Sequence, residues 1–233
     1  MLYDFHTHTF LSDGVLSPAE LIRRAAVKGY TAIGLADHVG LGNFRQVLEA
    51  VIDECRAVQQ HWNIQAIPGI EITHVPPQLI DTLAKQAKET GAEIVVVHGE
   101  TSVEPVEPGT NLAAIMSPHV DVLAHPGFLT EEEAELASRN ETFLEVSARK
   151  GHSLTNGYVV KLARKAGALM IVDSDAHEPG DLLTAEFAAR VARGAGIEEK
   201  ELDYVLRRNP GRLLRRIGRE VPMDAEVIKG EQR

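Results

Sequence analysis

Histidine and acidic residues recur in this sequence directly after short apolar stretches. The first instance, DFHTHTFLSDG at residues 4–14, places His6 and His8 two positions apart and follows them with Asp13. On a strand, residues two apart point to the same face, so the two imidazoles can converge on one cation. Three imidazoles and one carboxylate suffice to hold a zinc ion. The stretch is therefore a candidate metal site that needs partners elsewhere in the chain.

Six further histidine and acidic residues occupy the corresponding position after later apolar stretches. They are His38, Glu71, His98, His125, Asp175 and His177. The carboxyl ends of parallel strands form one face of an α/β barrel, where enzymes of that fold build their active sites. With the three residues of the first stretch, they make nine potential ligands. Nine ligands exceed what a single ion can use, which predicts two or three metal ions bridged by a carboxylate.

The elements that must position these residues are short strands that alternate with helices. Stretches rich in Val and Ile are predicted strands, at residues 2–5, 32–36, 64–70, 93–98, 120–125, 142–147 and 168–174. Nearly continuous apolar runs of this kind are typical of a parallel sheet covered on both faces. Helices are predicted at residues 18–28, 44–58, 77–90, 130–139, 155–166, 181–193, 198–207 and 210–217.

Several residues carry the signals for these helices. Ser17 and Thr130, each followed three residues later by Glu, are predicted to start capping boxes. Asn43 is predicted to cap the second helix, whose apolar stripe includes Cys55. The position of Cys55 on that stripe predicts a core residue and not a reactive thiol.

Regular alternation without a linker predicts one α/β domain over residues 1–219, followed by a loosely held tail at 220–233. Right-handed crossovers would close such a chain into a barrel or wind it into an open sheet. An open sheet normally carries a Gly-rich phosphate loop after its first strand. That position holds HTHTFLSDG, with one glycine, so a TIM-like (β/α)7 barrel is favoured.

The composition is that of an ordinary globular protein, with 44% hydrophobic and 25% charged residues. The N-terminus lacks the pattern of a signal peptide, no apolar run approaches a membrane span, and a single cysteine excludes an internal disulfide. We therefore expect a cytoplasmic protein without a membrane partner. A formal charge of −10 argues against polymeric nucleic acid as a partner, and the basic cluster at residues 207–219 is predicted to be a solvated helix face.

The ordered set of motifs resembles the polymerase and histidinol phosphatase (PHP) family. The matching motifs are HTH (6–8), SDG (12–14), ADH (36–38), GIE (69–71), VHG (97–99), AHP (124–126) and SDAH (174–177). The resemblance covers residues 1–215 and implies a distorted (β/α)7 barrel with a trinuclear metal centre that hydrolyses phosphate esters. Ala36 replaces the threonine usual in the family's second motif, which we expect to affect packing and not the metals.

The resemblance also distributes the ligands over three ions. The first would be bound by His6, His8, Glu71 and Asp175, the second by Glu71, His98 and His125, and the third by Asp13, His38 and His177. Asp37 is expected to orient its neighbours instead of binding an ion. Mixed imidazole and carboxylate ligands suit Zn, Mn, Fe or Co, so the identity of the metals stays open.

The expected substrate is a small phosphate monoester such as histidinol phosphate. In the hypothetical mechanism a hydroxide held by the metals at Glu71, His98 and His125, with help from His177, attacks phosphorus in line. A nucleotide phosphatase or phosphodiesterase of the same fold is the main alternative.

Residues near the barrel mouth are candidates for holding the substrate. The loop SARKGH offers Arg149, Lys150 and His152, and Arg149 could bind phosphate with two parallel hydrogen bonds. His74, three residues past Glu71, is another candidate. The segment HGETSVEP after the fourth predicted strand could form a lid, although Glu100 and Glu104 in it would repel a phosphate.

Two other classes of protein remain open. An amidohydrolase-type enzyme that cleaves C–N bonds also begins with His-x-His, but usually has a bridging lysine at the end of the fourth strand. The present sequence has His98 there. A non-catalytic metal-binding module is the third possibility, against which the complete set of ligands argues.

Overall fold

Parallel strands form a nearly closed barrel in the computed structural model, which describes residues 1–221. The strands are β1 (Tyr3–Asp4), β2 (Ala32–Leu35), β3 (His38–Val39), β4 (Gln65–Ile72), β5 (Ile94–His98), β6 (Val122–Ala124), β7 (Phe143–Ser147) and β8 (Met170–Asp173). Their order is β1-β2-β4-β5-β6-β7-β8, and β3 pairs with the end of β4. The predicted α/β barrel is confirmed; the short β3 was not predicted as a separate strand.

Side chains contribute to the closure between β8 and β1. The carboxylate of Asp173 accepts a hydrogen bond from the backbone of Phe5 at 2.7 Å, and that of Asp4 accepts one from the backbone of Ser174 at 3.0 Å. Beyond these bonds, the backbone of His8 donates to Ala176 at 2.8 Å. Between β8 and β1, side-chain acceptors thus replace some of the backbone hydrogen bonds of a regular sheet, and the barrel is distorted at this seam.

Helices surround the barrel on its outer side, except that the last one lies across its amino-terminal end. They are α1 (Pro18–Val27), α2 (Phe44–Gln59), α3 (Pro77–Thr90), α4 (Thr110–Met116), α5 (Glu131–Asn140), α6 (Asn156–Ala166), α7 (Ala185–Gly194) and α8 (Asn209–Arg216). The helices predicted at 198–207 and 210–217 form one unbroken helical run, in which a 3-10 turn at Glu199–Glu201 and a π-helical turn at Tyr204–Arg208 precede α8. In residues 1–221, no helix combines the length and apolarity needed to span a bilayer.

Helix α4 was not predicted, because its two turns are too short to show a clear period. Its first turn is capped from the preceding loop: the Glu100 carboxylate accepts from the backbone of Gly109 at 2.9 Å and of Asn111 at 3.0 Å. A carboxylate at this end of a helix satisfies free N–H groups and complements the helix dipole.

The predicted helix starts are partly confirmed. Thr130 forms the full capping box with Glu133, whereas Ser17 caps α1 through its own side chain. The prediction for Asn43 is wrong, since its side chain accepts from the backbone of Gly40 and makes no cap hydrogen bond to α2. Polar side chains of this type form turns as readily as caps.

Apolar side chains fill two layers, one inside the barrel and one between strands and helices. The inner layer includes Phe5, Ile67, Ile94, Val96, Phe143 and Ile171 from the strands, with Leu213 and Leu214 entering from α8. Cys55 lies in the outer layer, 1% exposed, which confirms the prediction of a core residue. Burial raises the pKa of its thiol and keeps it in the unreactive form.

The basic cluster at residues 207–219 fastens α8 to the amino-terminal end of the barrel. Arg216 approaches the buried Asp121 at 3.5 Å, Arg219 pairs with Glu93 at 2.5 Å, and Arg212 pairs with Glu141. The prediction of a solvated helix face is therefore incomplete, because the basic side chains lie on one face of α8 and the opposite face is buried. Residues 222–233, which hold most of the predicted tail, lie outside the described residues, and the domain boundary stays a prediction.

Candidate metal centre

The nine predicted ligands meet at the carboxyl end of the barrel. His6, His8 and Asp13 lie on or after β1, His38 begins β3, Glu71 lies in β4, His98 ends β5, His125 follows β6, and Asp175 with His177 follows β8. A cavity of about 290 Å³ opens there. Its lining consists of Asp13, His38, Thr73, His74, His98, Glu104, Arg149, His152, Asp175 and His177.

The four residues predicted for the first ion lie together. The Nε2 atom of His6 is 3.2 Å from Glu71 Oε1 and 3.9 Å from Asp175 Oδ1. The Nε2 atom of His8 is 3.2 Å from Asp175 Oδ1 and 3.8 Å from Glu71 Oε2. All four side chains are at most 2% exposed. The ligand atoms of His6, His8 and Asp175 form one close group, whereas Glu71 groups with His6 and His125. Mixed imidazole and carboxylate donors of this kind are a suitable set for a transition metal.

The three residues predicted for the third ion also lie together, nearer the surface. Asp13 Oδ1 is 3.1 Å from His177 Nε2 and 3.6 Å from His38 Nε2. His8 belongs to the same group, with its Nδ1 atom 4.0 Å from Asp13. The ring of His8 therefore faces both this group and the deeper one.

The group around His98 and His125 differs from the one predicted for the second ion. Their ligand atoms cluster with those of His152, which had been predicted to bind substrate. Glu71 still approaches His125, with Oε1 3.7 Å from Nε2. His98 Nε2 lies 3.2 Å from the carboxylate of Glu104. The sequence prediction missed His152 here because the family motifs do not include it.

Buried polar atoms without hydrogen-bond partners provide a test of whether these residues fit metal ions. In residues 1–221, they include His6 Nε2, both ring nitrogens of His8, Glu71 Oε1 and Asp175 Oδ1. A buried polar atom without a partner costs roughly 1–3 kcal/mol. These atoms lie close to one another, and each can offer a lone pair once any proton on it is lost. A divalent cation bound between them would therefore give all of them a partner. The residues therefore fit metal ions by their chemistry.

Burial and the mutual fields of these groups shift their protonation. Burial opposes a charge on His6, but the carboxylates of Glu71 and Glu145 outweigh it and raise the pKa of His6 well above its usual value. Burial and the neighbouring ring of His38 hold the pKa of His8 well below the usual value. Burial also opposes the charge on Glu71, yet the surrounding imidazoles, led by that of His6, lower its pKa. Metal binding would replace the protons that now balance these carboxylates.

Other side chains hold the ligands from behind. His6 Nδ1 is 2.6 Å from the fully buried carboxylate of Glu145. His38 Nδ1 is 2.7 Å from the hydroxyl of Thr73, but it also lies 2.5 Å from Glu71 Oε2, on the side of the centre. Fixing Nδ1 of His6 in this way aims its Nε2 at the centre. Glu145 was missed from the sequence; the available signal was a single carboxylate inside the apolar strand FLEVS.

Two acidic residues fix the loops that carry the ligands. Asp37 accepts hydrogen bonds from the backbone of Thr9 at 2.7 Å and the hydroxyl of Ser12 at 2.6 Å, which holds the loop leading to Asp13. Asp181, predicted to begin a helix, instead accepts from the backbone of His177 at 3.0 Å. Helix α7 consequently starts later, at Ala185.

The backbone is left-handed at two of the predicted ligand positions. His125 has a φ of 27° and Asp175 a φ of 52°. A left-handed residue other than glycine costs roughly 1–2 kcal/mol, and such conformations cluster at functional sites. The turn at Asp175 also means that simple strand alternation does not set the direction of the side chains beyond β8.

The predicted substrate-binding residues separate into two kinds. Arg149, His152 and His74 line the cavity, whereas Lys150 is exposed and outside it. Arg149 is 32% exposed on its side chain and donates to the backbone carbonyl of Asp175 at 3.1 Å. Glu104 reaches the mouth as well, with Oε2 3.6 Å from His74 Nε2.

A parallel barrel with imidazole and carboxylate clusters at its carboxyl end defines a class of metal-dependent hydrolases. The chain belongs to the PHP domain family, whose match covers residues 4–152. This membership confirms the predicted family and the predicted enzyme class, a hydrolase of phosphoric ester bonds.

Known proteins similar to the chain carry different descriptions. An uncharacterized protein of Methanocaldococcus jannaschii is 48% identical over 93% of this chain and all of its own length. A probable phosphatase of Thermoanaerobacter sp. is 27% identical over 91% of the chain and 93% of its own length. Ribonuclease P protein component 3 of Methanosarcina mazei is 26% identical over 98% and 96%, respectively.

A solved structure shares the fold. Histidinol phosphate phosphatase of Lactococcus lactis, complexed with zinc, L-histidinol and phosphate, superposes with a TM-score of 0.59 at 12% sequence identity. The similarity covers 83% of this chain and 92% of that one. This likeness supports the distorted TIM-like barrel predicted from the sequence.

Proposed function

We propose that this protein hydrolyses a small phosphate monoester, similar to histidinol phosphate, with a trinuclear metal centre. The observation that supports the proposal is that the nine predicted ligands lie in overlapping groups at the carboxyl end of the barrel, with five of them lining the cavity there. When bound, divalent ions there would supply Lewis acidity toward phosphoryl oxygens and lower the pKa of coordinated water. The first ion is assigned to His6, His8, Glu71 and Asp175, the second to Glu71, His98 and His125, and the third to Asp13, His38 and His177.

Arg149 is assigned to bind the phosphoryl group. Its guanidinium lies at the cavity wall, 3.7 Å from Asp175 Oδ2 through Nε and 2.6 Å from His177 Nδ1 through one terminal nitrogen. The guanidinium also lines the cavity, where its second terminal nitrogen can donate a charge-assisted hydrogen bond to a phosphoryl oxygen. The contacts with Asp175 hold the guanidinium of Arg149 beside the positions proposed for the first and third ions.

The size and charge of the cavity argue for a small monoester. About 290 Å³ accommodates a metabolite of modest size but not a folded nucleic acid. The carboxylate of Glu104 narrows the mouth, standing 3.2 Å from His98 and 3.5 Å from His152. A second phosphate would be repelled there, so a substrate with a neutral or positively charged remainder fits best.

The test is a panel of phosphomonoesters and phosphodiesters assayed with the protein loaded with Mn²⁺ or Zn²⁺. We expect hydrolysis of a monoester, and a loss on the order of 100-fold for His98→Ala, since removing a metal ligand removes transition-state stabilisation. His61→Ala, at an exposed histidine remote from the cavity, is the matched control. Full activity in His98→Ala, or a loaded protein inert toward every phosphoester, would overturn the proposal.

A role on RNA is the second candidate, favoured by the similarity to ribonuclease P protein component 3 over nearly the whole chain. The formal charge of −10 argues against it, because RNA binding depends on phosphate contacts from basic residues. Adding a 5′-phosphorylated RNA oligonucleotide and an amide substrate to the panel separates the phosphatase from the RNA enzyme and from the C–N hydrolase.

A further inference from the structure

His152 occupies a position that its place in the sequence did not suggest. It begins the 3-10 turn at His152–Thr155 after β7 and is only 5% exposed. Its ring stacks on that of His125, with centroids 4.1 Å apart and planes inclined by 16°. The ligand atoms of His98, His125 and His152 all lie within 4.8 Å of one another. This side chain therefore belongs to the wall of the buried centre and not to its outer rim.

The hydrogen bonding of the ring resembles that of two predicted ligands. His152 Nδ1 lies 2.7 Å from the hydroxyl of Thr101, as His38 Nδ1 lies 2.7 Å from the hydroxyl of Thr73. His6 is held in the same way by Glu145. For His152, as for His6, the anchored Nδ1 leaves Nε2 aimed inward, which is the arrangement that outer partners give to metal-binding histidines. The Nδ1 atom of His38 differs in that it also lies 2.5 Å from Glu71 Oε2.

The spacing of the surrounding donors completes the argument. His152 Nε2 is 3.8 Å and His125 Nε2 is 3.7 Å from the same oxygen, Asp175 Oδ2. Metal–nitrogen bonds of ~2.0–2.1 Å place neighbouring donors about 3.4 Å apart in a tetrahedral site. Small side-chain adjustments would bring these atoms to that distance around one ion.

We propose that His152 is a metal ligand that binds the same ion as His98 and His125. The inference rests on the metal centre of the proposed function and replaces the substrate-binding role predicted for His152. An ion with three imidazoles and a carboxylate oxygen has a nitrogen-rich set, which favours Zn²⁺ or Fe²⁺ over Mg²⁺ or Mn²⁺. The Thr101 hydroxyl is then a positioning group for this ligand.

The experiment measures zinc, not turnover. Zn²⁺-loaded protein is dialysed against a graded series of a chelator, and retained zinc is counted by mass spectrometry for the wild type, His152→Ala and His152→Gln. We expect one equivalent to be released at chelator strengths at least tenfold lower in both variants, with the remaining zinc retained. Lys150→Ala, an exposed neighbour in the same loop, should release zinc as the wild type does. Thr101→Val should weaken the same equivalent by about 10-fold to 100-fold.

The zinc measurements distinguish a wrong assignment of His152 from a wrong assignment of the whole metal centre. Unchanged zinc retention in both His152 variants, together with a raised KM for the substrate, would overturn the ligand assignment and restore the substrate-binding role. Unchanged retention in His98→Ala as well would mean that the proposed centre itself is wrong. A Co²⁺-loaded sample gives a second readout, since loss of an imidazole ligand changes the intensity and position of the visible bands.

Discussion

At the scale of single residues, the arrangement around His6 shows how one buried carboxylate can orient a predicted metal ligand. Glu145 is fully buried and lies 2.6 Å from His6 Nδ1, while His6 Nε2 lies 3.2 Å from Glu71. A hydrogen bond from Nδ1–H to a carboxylate fixes the tautomer and raises the basicity of the other nitrogen. Glu145 thus acts through His6 and does not line the cavity.

We expect Glu145→Gln to weaken one metal equivalent by about 10-fold to 100-fold. The substitution keeps the shape of the side chain but removes the charge that favours Nδ1–H on His6. Zinc retention against a chelator measures the change, and the unfolding midpoint reports whether the fold is intact. The exposed Glu178 provides the control variant, Glu178→Gln. Equal zinc retention in wild type and Glu145→Gln would show that Glu145 has no influence on the centre.

At the scale of elements, close packing of neighbouring strands sets the position of the first ligands. A Cβ atom at Gly34 in β2 would lie 2.6 Å from the carbonyl oxygen of Phe5. The carbonyl of Gly34 also accepts a hydrogen bond from the hydroxyl of Thr7 at 2.6 Å. Since β1 has only two residues, its position depends on this contact. The glycine therefore lets the segment carrying His6 and His8 approach the sheet.

Gly34→Ala is expected to lower the free energy of unfolding by roughly 1–3 kcal/mol, the usual cost of overpacking. Urea denaturation followed by circular dichroism measures it. Gly42→Ala is the matched control, because a Cβ atom at Gly42 meets nothing within 4 Å. Similar midpoints for the two variants would contradict the close-packing argument.

At the scale of the whole molecule, α8 closes the end of the barrel opposite the candidate metal centre. Leu213 and Leu214 are fully buried among the strand side chains of the inner layer. The same helix is held outside by Arg216, which donates to the carbonyl of Glu141 at 2.7 Å. Helix α8 therefore stabilises the barrel at its amino-terminal end, whereas the candidate metal centre lies at its carboxyl end.

Leu214→Ala should lower the free energy of unfolding by about 2–5 kcal/mol, since it leaves a cavity in a packed interior. The KM of the folded enzyme should stay unchanged, because the site lies at the opposite end. Denaturant unfolding and steady-state kinetics test the two halves of this expectation. Leu112→Ala, at a 43% exposed leucine on α4, is the control. A decrease in the free energy of unfolding of less than about 1 kcal/mol would indicate that α8 does not help to fill the barrel interior.

Much of this molecule could be predicted from local patterns. The strands and most helices follow from runs of apolar residues, and helix α3 matches its predicted range of 77–90. The nine predicted ligands could be placed on one face because each lies at or after the carboxyl end of a predicted strand, and parallel strands all end on one face. Helix α4 could not be predicted, because so short an element has a weak pattern. The hydrogen-bond partners of Asn43 and Asp181 could not be predicted either, because such side chains can cap a helix or form a turn.

Which side chains share a site was decided by the tertiary structure. The sequence by itself determined the barrel and the end at which its polar residues gather, because strand period and order are properties of the chain. It did not determine that His152 lies against His125, or that Glu145 lies behind His6. Those contacts join segments far apart in sequence, and they depend on strand register, on the seam between β8 and β1, and on left-handed turns at His125 and Asp175. DFHTHTFLSDG supplies three of the predicted ligands, but the fold determines which side chains lie beside them.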